Sequence, residues 1–351
     1  MIKVAMIGFG FAAQTFHLPF VAASTVFRLV AVSSRQPELV RQSAAKLGIY
    51  NLDVFGDAEE MLQSSNADLV IITAPNAYHY PLAKASLLAS KHVLIEKPMV
   101  TTSEQARDLF DLAKQTQLQL CVFQNRRWDG DFLTVKALID HGKLGSIRLY
   151  ESHFDRFRPN VRQRWREQPG EGTGIWYDLG PHLLDQALCL FGKPEAITTR
   201  LLSQREIDGA CDYAHCQLHY GNREVILHAS LFNSASNLKF HVQGTEGSYL
   251  KYGLDPQESQ LKSGRLPGTE GFGLEDEADF GTLYQAQNPD DISSVKVPTK
   301  PGDYRAIYHH LAMAITGQKP FPVTPEEAIL LVQLLELGEQ SSREGKTIPC
   351  L

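Results

Sequence analysis

At 351 residues the chain is too long for one comfortable core, and 43% hydrophobic with 21% charged side chains is an ordinary globular composition, so two domains are expected and disorder is not. A formal net charge of −6 argues against nucleic acid as a partner, since phosphate binding wants a basic field, and no run approaches the roughly 18 apolar residues that span a bilayer. Ile2-Lys3-Val4-Ala5-Met6-Ile7 enters a strand pattern without the layout of a signal peptide, and five scattered cysteines form no disulfide framework, so a reducing, cytoplasmic location with no membrane partner is expected.

The first half alternates short apolar runs with helical patterns, which is how a parallel α/β sheet reads in sequence. Strands are expected over 2–7, 28–32, 54–55 with its flanks, 69–73, 92–95 and 119–123, and helices over 37–47, 78–90 and 103–116, the last capped by Ser103. Leu69-Val70-Ile71-Ile72 is apolar on both faces, as a sheet covered on both sides requires.

Gly8-Phe9-Gly10-Phe11-Ala12-Ala13 follows the first strand and opens a helix, matching the G-x-G-x-x-A dinucleotide fingerprint. Gly8 makes the tight turn, Gly10 lets a pyrophosphate approach, Ala13 lets helix and strand pack, and the free N–H groups of the helix start hold the anion. The second strand ends in Val32-Ser33-Ser34-Arg35, with no acid before Glu38 to accept from a ribose 2′-hydroxyl. Two hydroxyls and a guanidinium suit a 2′-phosphate instead, so NADP(H) is expected ahead of NAD(H).

Glu96-Lys97-Pro98 closes the fifth strand, where ligands of open α/β sheets bind. A lysine at the rim of an apolar pocket can serve as a base near neutral pH, although a Lys-Pro at a strand end is also a common solvated turn.

Beyond a linking helix over 131–141 the texture changes to antiparallel strands over 147–157, 213–220, 224–231, 237–244 and 248–251, with a hairpin turn at Tyr220-Gly221-Asn222-Arg223. A helix over 181–191 interrupts them, 267–281 is an expected surface loop, and helices over 304–316 and 324–342 close the chain, the second capped by Thr324 with Pro325 in its first turn. The expected division is a Rossmann domain over 1–123 and an α+β domain over 124–351, the latter with antiparallel strands whose apolar sheet face a second copy would cover in a homodimer or homotetramer.

Asp178-Leu179-Gly180-Pro181-His182 opens the 181–191 helix, and a four-residue spacing sets the carboxylate near the imidazole, whose orientation it can fix; a helix-capping acid beside a satisfied histidine is the plainer alternative. No metal is expected. In the Cys211–His219 stretch an extended strand puts Cys211, His215 and His219 on one face and Cys216 on the other, so a four-ligand site cannot close. Arg156, Arg158, Arg162, Arg164 and Arg166 form a dense basic stretch that suits an anionic substrate, a subunit interface or a solvated face alike.

Gly8–Ala13, Glu96-Lys97-Pro98 and Asp178-x-x-x-His182, in that order, with the closing Gly317-x-x-x-Phe321-Pro322-Val323-Thr324-x-Glu326-Glu327-Ala328, resemble the glucose-fructose oxidoreductase/inositol dehydrogenase (Gfo/Idh/MocA) family over essentially the whole chain. The resemblance implies a Rossmann domain followed by an α+β domain with a large open, mainly antiparallel sheet, and hydride transfer between a nicotinamide and a sugar or cyclitol carbinol, with Lys97 as catalytic lysine, His182 as proton-relaying or substrate-orienting residue and Asp178 as its polar partner. It implies that Thr73, Pro75, Asn76 and His79 line the cofactor and that Trp165-Arg166 lies near the nicotinamide; Phe11, Ala12, Glu96 and Asn125 complete the expected cofactor-binding set. Asn125-Arg126-Arg127-Trp128-Asp129, His153-Phe154-Asp155-Arg156-Phe157-Arg158-Pro159 and Tyr252-Gly253-Leu254-Asp255-Pro256-Gln257-Glu258 look like the branch of NADP-dependent scyllo-inositol dehydrogenases. An NADP(H)-binding sensor without turnover is the alternative, and the presence of Lys97, Asp178 and His182 together speaks against it.

Overall fold

The computed structural model describes residues 1–288 and 290–350, which form two compact units. The first is assembled from Met1–Asn125, Glu258–Phe272 and Tyr304–Ile329, and the second from Arg126–Gln257, Gly273–Asp303 and the chain from Leu330 on.

The first unit holds a six-stranded parallel sheet of β1 (Ile2–Ile7), β2 (Phe27–Ser33), β3 (Asp53–Phe55), β4 (Leu69–Ile72), β5 (His92–Ile95) and β6 (Leu120–Val122), in the order β3-β2-β1-β4-β5-β6. Strand order reverses between β1 and β4, the crevice where a dinucleotide binds in a doubly wound fold. Leu69, Val70, Ile71 and Ile72 are each fully buried, which accounts for their unbroken apolar run. Helices Pro37–Ala45, His79–Leu88 and Ser103–Thr116 fall where periodicity places them. The cap of the last is a correction: Thr102, in extended backbone, accepts from the Gln105 N–H at 3.3 Å, and Ser103 is the first helical residue. Helix Ala58–Ser64 was not foreseen; its seven residues are too few to show a period, yet Asp57 caps it by accepting from the N–H groups of Glu59 and Glu60.

The second unit holds a nine-stranded sheet of β7 (Ile147–His153), β8 (Ala196–Leu202), β9 (Tyr213–Tyr220), β10 (Arg223–Ser230), β11 (Leu238–Gly244), β12 (Gly247–Tyr252), β13 (Gly281–Asn288), β14 (Asp291–Val297) and β15 (Ile348–Pro349). Its order is β14-β13-β12-β11-β7-β10-β9-β8-β15, antiparallel throughout except where β10 runs parallel to β7. Tyr150, Cys216, Leu218, Val225, Leu227, Phe240 and Val242 point to one face, where they pack with Trp176, Leu183 and Leu184 of helix Gly174–Phe191 and with Leu331, Leu334 and Leu335. Trp176 fixes that packing by donating its indole N–H to the Leu335 carbonyl at 3.1 Å. Gly221, with φ +62°, lets β9 and β10 turn in two residues, as expected.

Three expectations for this unit need correction. The helix starts at Gly174, not Pro181: a proline normally marks a first turn, but here it sits inside the helix, where its missing N–H leaves the Tyr177 carbonyl without the usual helical donor. The strand over 147–157 ends at His153, and β8, β13, β14 and β15 were not foreseen. The face away from the helices is not the apolar surface expected. At its centre stand half-buried Glu151, His153, His215, Glu224, His228 and His241, and apolar side chains (Tyr252, Tyr284, Ile292) appear toward the β14 edge.

Candidate active site

In the first unit, Gly8 stands at the carboxyl end of β1 with φ +88°, and a Cβ there would meet Thr73 Oγ1 at 3.0 Å and the Ala74 N at 3.1 Å. Only glycine fits this turn. Gly10 has open space where its Cβ would be, Phe11 is 48% exposed, and Ala13 is fully buried. A tight turn, an unobstructed backbone and a closely packed helix start are what a pyrophosphate requires, so these residues fit a dinucleotide. Thr73 Oγ1 donates toward the carbonyls of Ile7 and Gly8 at 3.2 and 3.1 Å, tying the loop after β4 to the end of β1. Pro75 precedes a short turn at Asn76–Tyr78, in which Asn76 is buried. His79 is fully buried; its ring nitrogens lie 2.8 Å from the Ala74 carbonyl and 2.9 Å from the Pro98 carbonyl, so it braces the loop after β4 against the loop after β5.

At the end of β2, Ser33 is buried and its carbonyl accepts from the Gly8 N–H at 3.0 Å. The Ser34 hydroxyl accepts from the Gln36 N–H at 3.1 Å, and Arg35 is exposed, with no hydrogen bond or ion pair to any described residue. The nearby acid, Glu38, is taken up by Arg41 at 2.9 Å.

Glu96 and Lys97 follow β5. Lys97 is half-buried, while Glu96 turns inward: its Oε2 accepts from the Lys97 N–H at 3.1 Å and its Oε1 lies 2.9 Å from Nε2 of His17. Burial alone would push this carboxyl up; the His17 hydrogen bond and the charges of His17 and Lys97 outweigh it and hold the carboxyl below its usual range. His17 is itself fully buried, with Nδ1 2.9 Å from the Tyr308 hydroxyl, which donates to the Phe16 carbonyl at 2.7 Å. Neither His17 nor Tyr308 was singled out in the sequence. Their partners stand 79 and 291 residues away, so no local pattern could have shown them. His17 ends a π-turn in which the Leu18 N–H reaches the Ala13 carbonyl, just before Pro19 removes the next donor, a loosening common at functional sites. Asn125 closes this stretch, buried at the start of the Asn125–Trp128 turn.

In the second unit, Asp178 and His182 lie four residues apart inside helix Gly174–Phe191, which begins earlier than expected. His182 is 6% exposed, and its ring stacks on Phe154 with centroids 6.5 Å apart. The Arg156 guanidinium lies 4.8 Å from the centroid of the Phe154 ring, a cation on its π system. Trp165 and Arg166 share a short turn, the guanidinium 5.0 Å over the indole and its Nε 3.9 Å from Asp178 Oδ1. The basic stretch divides in two. Arg162 is held by Glu167, which also takes buried Arg205, whereas burial and the charges of Arg156 and Arg162 push the Arg158 guanidinium down to about 10.

A third cluster was also missed. His153, Asp155 and His228 offer ligand atoms that all lie within 4.8 Å of one another. The Cys211–His219 stretch breaks up as expected: Cys216 is buried on the helix face, and His219 bonds to Thr198 at 2.8 Å.

The chain matches two family models, an oxidoreductase-family NAD-binding Rossmann fold over residues 2–124 and an oxidoreductase-family C-terminal alpha/beta domain over residues 136–350. It is 43% identical to the oxidoreductase YdgJ of Escherichia coli (strain K12), covering 100% of this chain and 99% of that one. It is 35% identical to the scyllo-inositol 2-dehydrogenase (NADP(+)) IolW of Bacillus subtilis (strain 168), covering 99% and 95%. The solved structure of the oxidoreductase yvaA from Bacillus subtilis superposes with a TM-score of 0.92 at 34% identity, over 99% of this chain and 100% of that one. With both halves matched in order around a glycine turn and an ordered Glu96-Lys97 strand end, the chain is an oxidoreductase of the Gfo/Idh/MocA family.

Proposed function

We propose that the protein transfers a hydride between NADP(H) and a ring carbinol or ketone of a cyclic polyol or sugar, with scyllo-inositol and its inosose as the first pair to test. The carrying observation is the placement of Lys97 at the carboxyl end of β5, its main chain anchored by Glu96 and His17. Relatives with related activities support the substrate class: IolW over the full chain, and a D-glucoside 3-dehydrogenase of Escherichia coli at 30% identity over 55% of this chain.

The dinucleotide, when bound, supplies the hydride acceptor or donor. Gly8, Gly10, Phe11, Ala12 and Ala13 would hold its pyrophosphate, Ser33, Ser34 and Arg35 its 2′-phosphate, and Thr73, Pro75, Asn76, Trp165 and Arg166 would line its nicotinamide end. In the oxidative direction Lys97 takes the hydroxyl proton as the carbinol carbon gives up its hydride; in reverse it returns that proton to the carbonyl oxygen. His182 holds a neighbouring hydroxyl or relays the proton, and Asp178, one turn away, orients the imidazole. Turnover of cyclitols and aldoses with each cofactor, followed at the reduced-nicotinamide absorbance, tests the reading; no turnover of any of them would overturn it.

Cofactor choice rests on Arg35, exposed and without an ion pair among the described residues, where an NAD site would carry an acid. Arg35→Ala is expected to weaken NADP(H) binding by about 10- to 100-fold, the worth of a charge-assisted bond, and to leave NAD(H) nearly unchanged. Fluorescence titration of both cofactors measures this, and wild-type affinity for NAD(H) equal to or tighter than for NADP(H) would refute the preference.

A homodimer or homotetramer is part of the same proposal. Tyr252, Tyr284 and Ile292 are 51%, 36% and 61% exposed on neighbouring strands, an apolar strip that a second copy would cover. Light scattering should report at least twice the chain mass of 39.1 kDa, and an active monomer would contradict it.

A further inference from the structure

We propose that His153, Asp155 and His228 form a binding site for one divalent transition-metal cation of the zinc class, on the sheet face opposite His182. The placement follows from the strands. β7 and β10 are parallel neighbours with His153 directly opposite His228. Alternation along β7 sends Ser152 and Phe154, both fully buried, to the helix-covered face, where Phe154 meets His182, and sends His153 and Asp155 to the other. Beyond the end of β7 the ladder persists: the Phe154 N–H donates to the His228 carbonyl and the Arg156 N–H to the Ser230 carbonyl, each at 2.8 Å. The Asp155 N–H donates to Asn237 Oδ1 at 2.7 Å, so the carboxylate stands on fixed backbone.

The donor atoms already converge. Nδ1 of His153 is 3.2 Å from Asp155 Oδ2, and Nδ1 of His228 is 2.9 Å from Asp155 Oδ1. Tetrahedral coordination with bonds of about 2.0–2.1 Å spaces its donors by roughly 3.3 Å, so both carboxylate–imidazole spacings are close to those a metal needs. The two nitrogens face different oxygens of the carboxylate, and all three donor atoms lie within 4.8 Å of one another, so a small rotation of the side chains brings them onto one ion. The outer support is present as well. His153 presents its other nitrogen, Nε2, to Glu151 Oε1 at 2.8 Å, and Glu151 Oε2 lies 3.4 Å from Nδ1 of His241. A ligating histidine whose second nitrogen rests on a carboxylate is the arrangement that fixes the ring for a metal. Two imidazoles and one carboxylate suit zinc, cobalt, nickel or ferrous iron; magnesium and calcium prefer oxygen donors alone. In the single chain the side chains of His153, Asp155 and His228 are 16%, 6% and 19% exposed, so the donor atoms are shielded but not sealed within the sheet. A bound ion would cross-link β7 to β10 and stabilise the sheet, apart from the chemistry assigned to Lys97 and His182.

The test is a titration of the chelator-treated full-length protein with cobalt(II), read by visible d–d absorbance and by calorimetry. The expected result is one saturable cobalt(II) per chain, displaced by zinc(II), with H228A and D155N each weakening it by at least about tenfold, and E151Q by about 10- to 100-fold. Zinc(II) should also raise the melting temperature of wild type and not that of H228A. All three variants keep the Lys97 and His182 residues, so their polyol turnover with zinc absent should match wild type and report that they are folded. No saturable binding by wild type, or binding that H228A and D155N leave unchanged, would overturn the site. A cluster held together by protons alone predicts the first of those outcomes.

Discussion

Lys97→Ala is expected to lower turnover by about 10²–10⁴-fold, the usual weight of a positioned acid–base group, with cofactor affinity nearly intact. The two effects separate because the residues proposed for the pyrophosphate are the Gly8–Ala13 turn, whereas Lys97 follows another strand, β5. The fold should survive the change. One anchor of this position is the Lys97 main-chain N–H, which donates to Glu96 Oε2 at 3.1 Å and is kept in the alanine variant. The full effect should appear in kcat, since a proton acceptor acts in the transition state and contributes little to ground-state binding. His182→Ala should lower turnover and also raise KM, because the imidazole is proposed to hold a substrate hydroxyl as well. Steady-state kinetics with cofactor affinity measured in parallel decides the matter. Near-wild-type kcat in Lys97→Ala would make the lysine a structural residue and leave the reaction without its proton acceptor.

What the sequence made legible was local. Gly8 to Ala13 announces itself because turn, close approach and helix start all fall within six residues, and Leu69 to Ile72 because burial on both faces leaves no polar residue in the strand. Asp178 and His182 were legible as a pair because one helical turn is a fixed distance, although the start of their helix was not: Pro181 imitates a first-turn proline while Gly174-Ile175-Trp176-Tyr177 carries no cap. β14 escaped because Asp291–Val297 is almost wholly exposed and shows no alternation of apolar and polar residues, and β15 because two residues have no period at all. The clusters that depend on tertiary pairing were beyond reach for one reason. His17 meets Glu96 and Tyr308, and His153 meets His228, only once the chain has brought separate elements side by side. A sequence shows such residues one at a time, and a single histidine on an apolar stretch carries no signal of its partner.

His17→Ala is expected to destabilise the first unit by about 3–5 kcal/mol, the cost of removing one partner of a buried pair and leaving the other charge behind. The side chain of His17 is fully buried and that of Glu96 is 11% exposed, so water would do little to compensate the stranded carboxylate. The sign with pH follows from the direction of the Glu96 shift. Its carboxyl is held below the usual range, so the wild-type pair stabilises fully above ordinary carboxylate values and loses that contribution as pH falls through the lowered folded-state value. In His17→Ala the upward push of burial is left opposed only by Lys97, so the carboxyl rises and takes up a proton on mild acidification. The deficit relative to wild type should therefore be largest at neutral pH and shrink as the pH is lowered. His17→Gln, whose amide can still donate to Glu96 Oε1, should recover part of the loss at neutral pH and show a weaker pH dependence. Chemical denaturation of the three proteins at neutral and mildly acidic pH measures this directly. Because Glu96 also accepts the Lys97 N–H, His17→Ala should lower kcat more than it raises KM, even where the variant is fully folded. A deficit that is the same at both pH values, with kcat unchanged, would show that His17 merely fills space beneath β5 and does not set the position of Lys97.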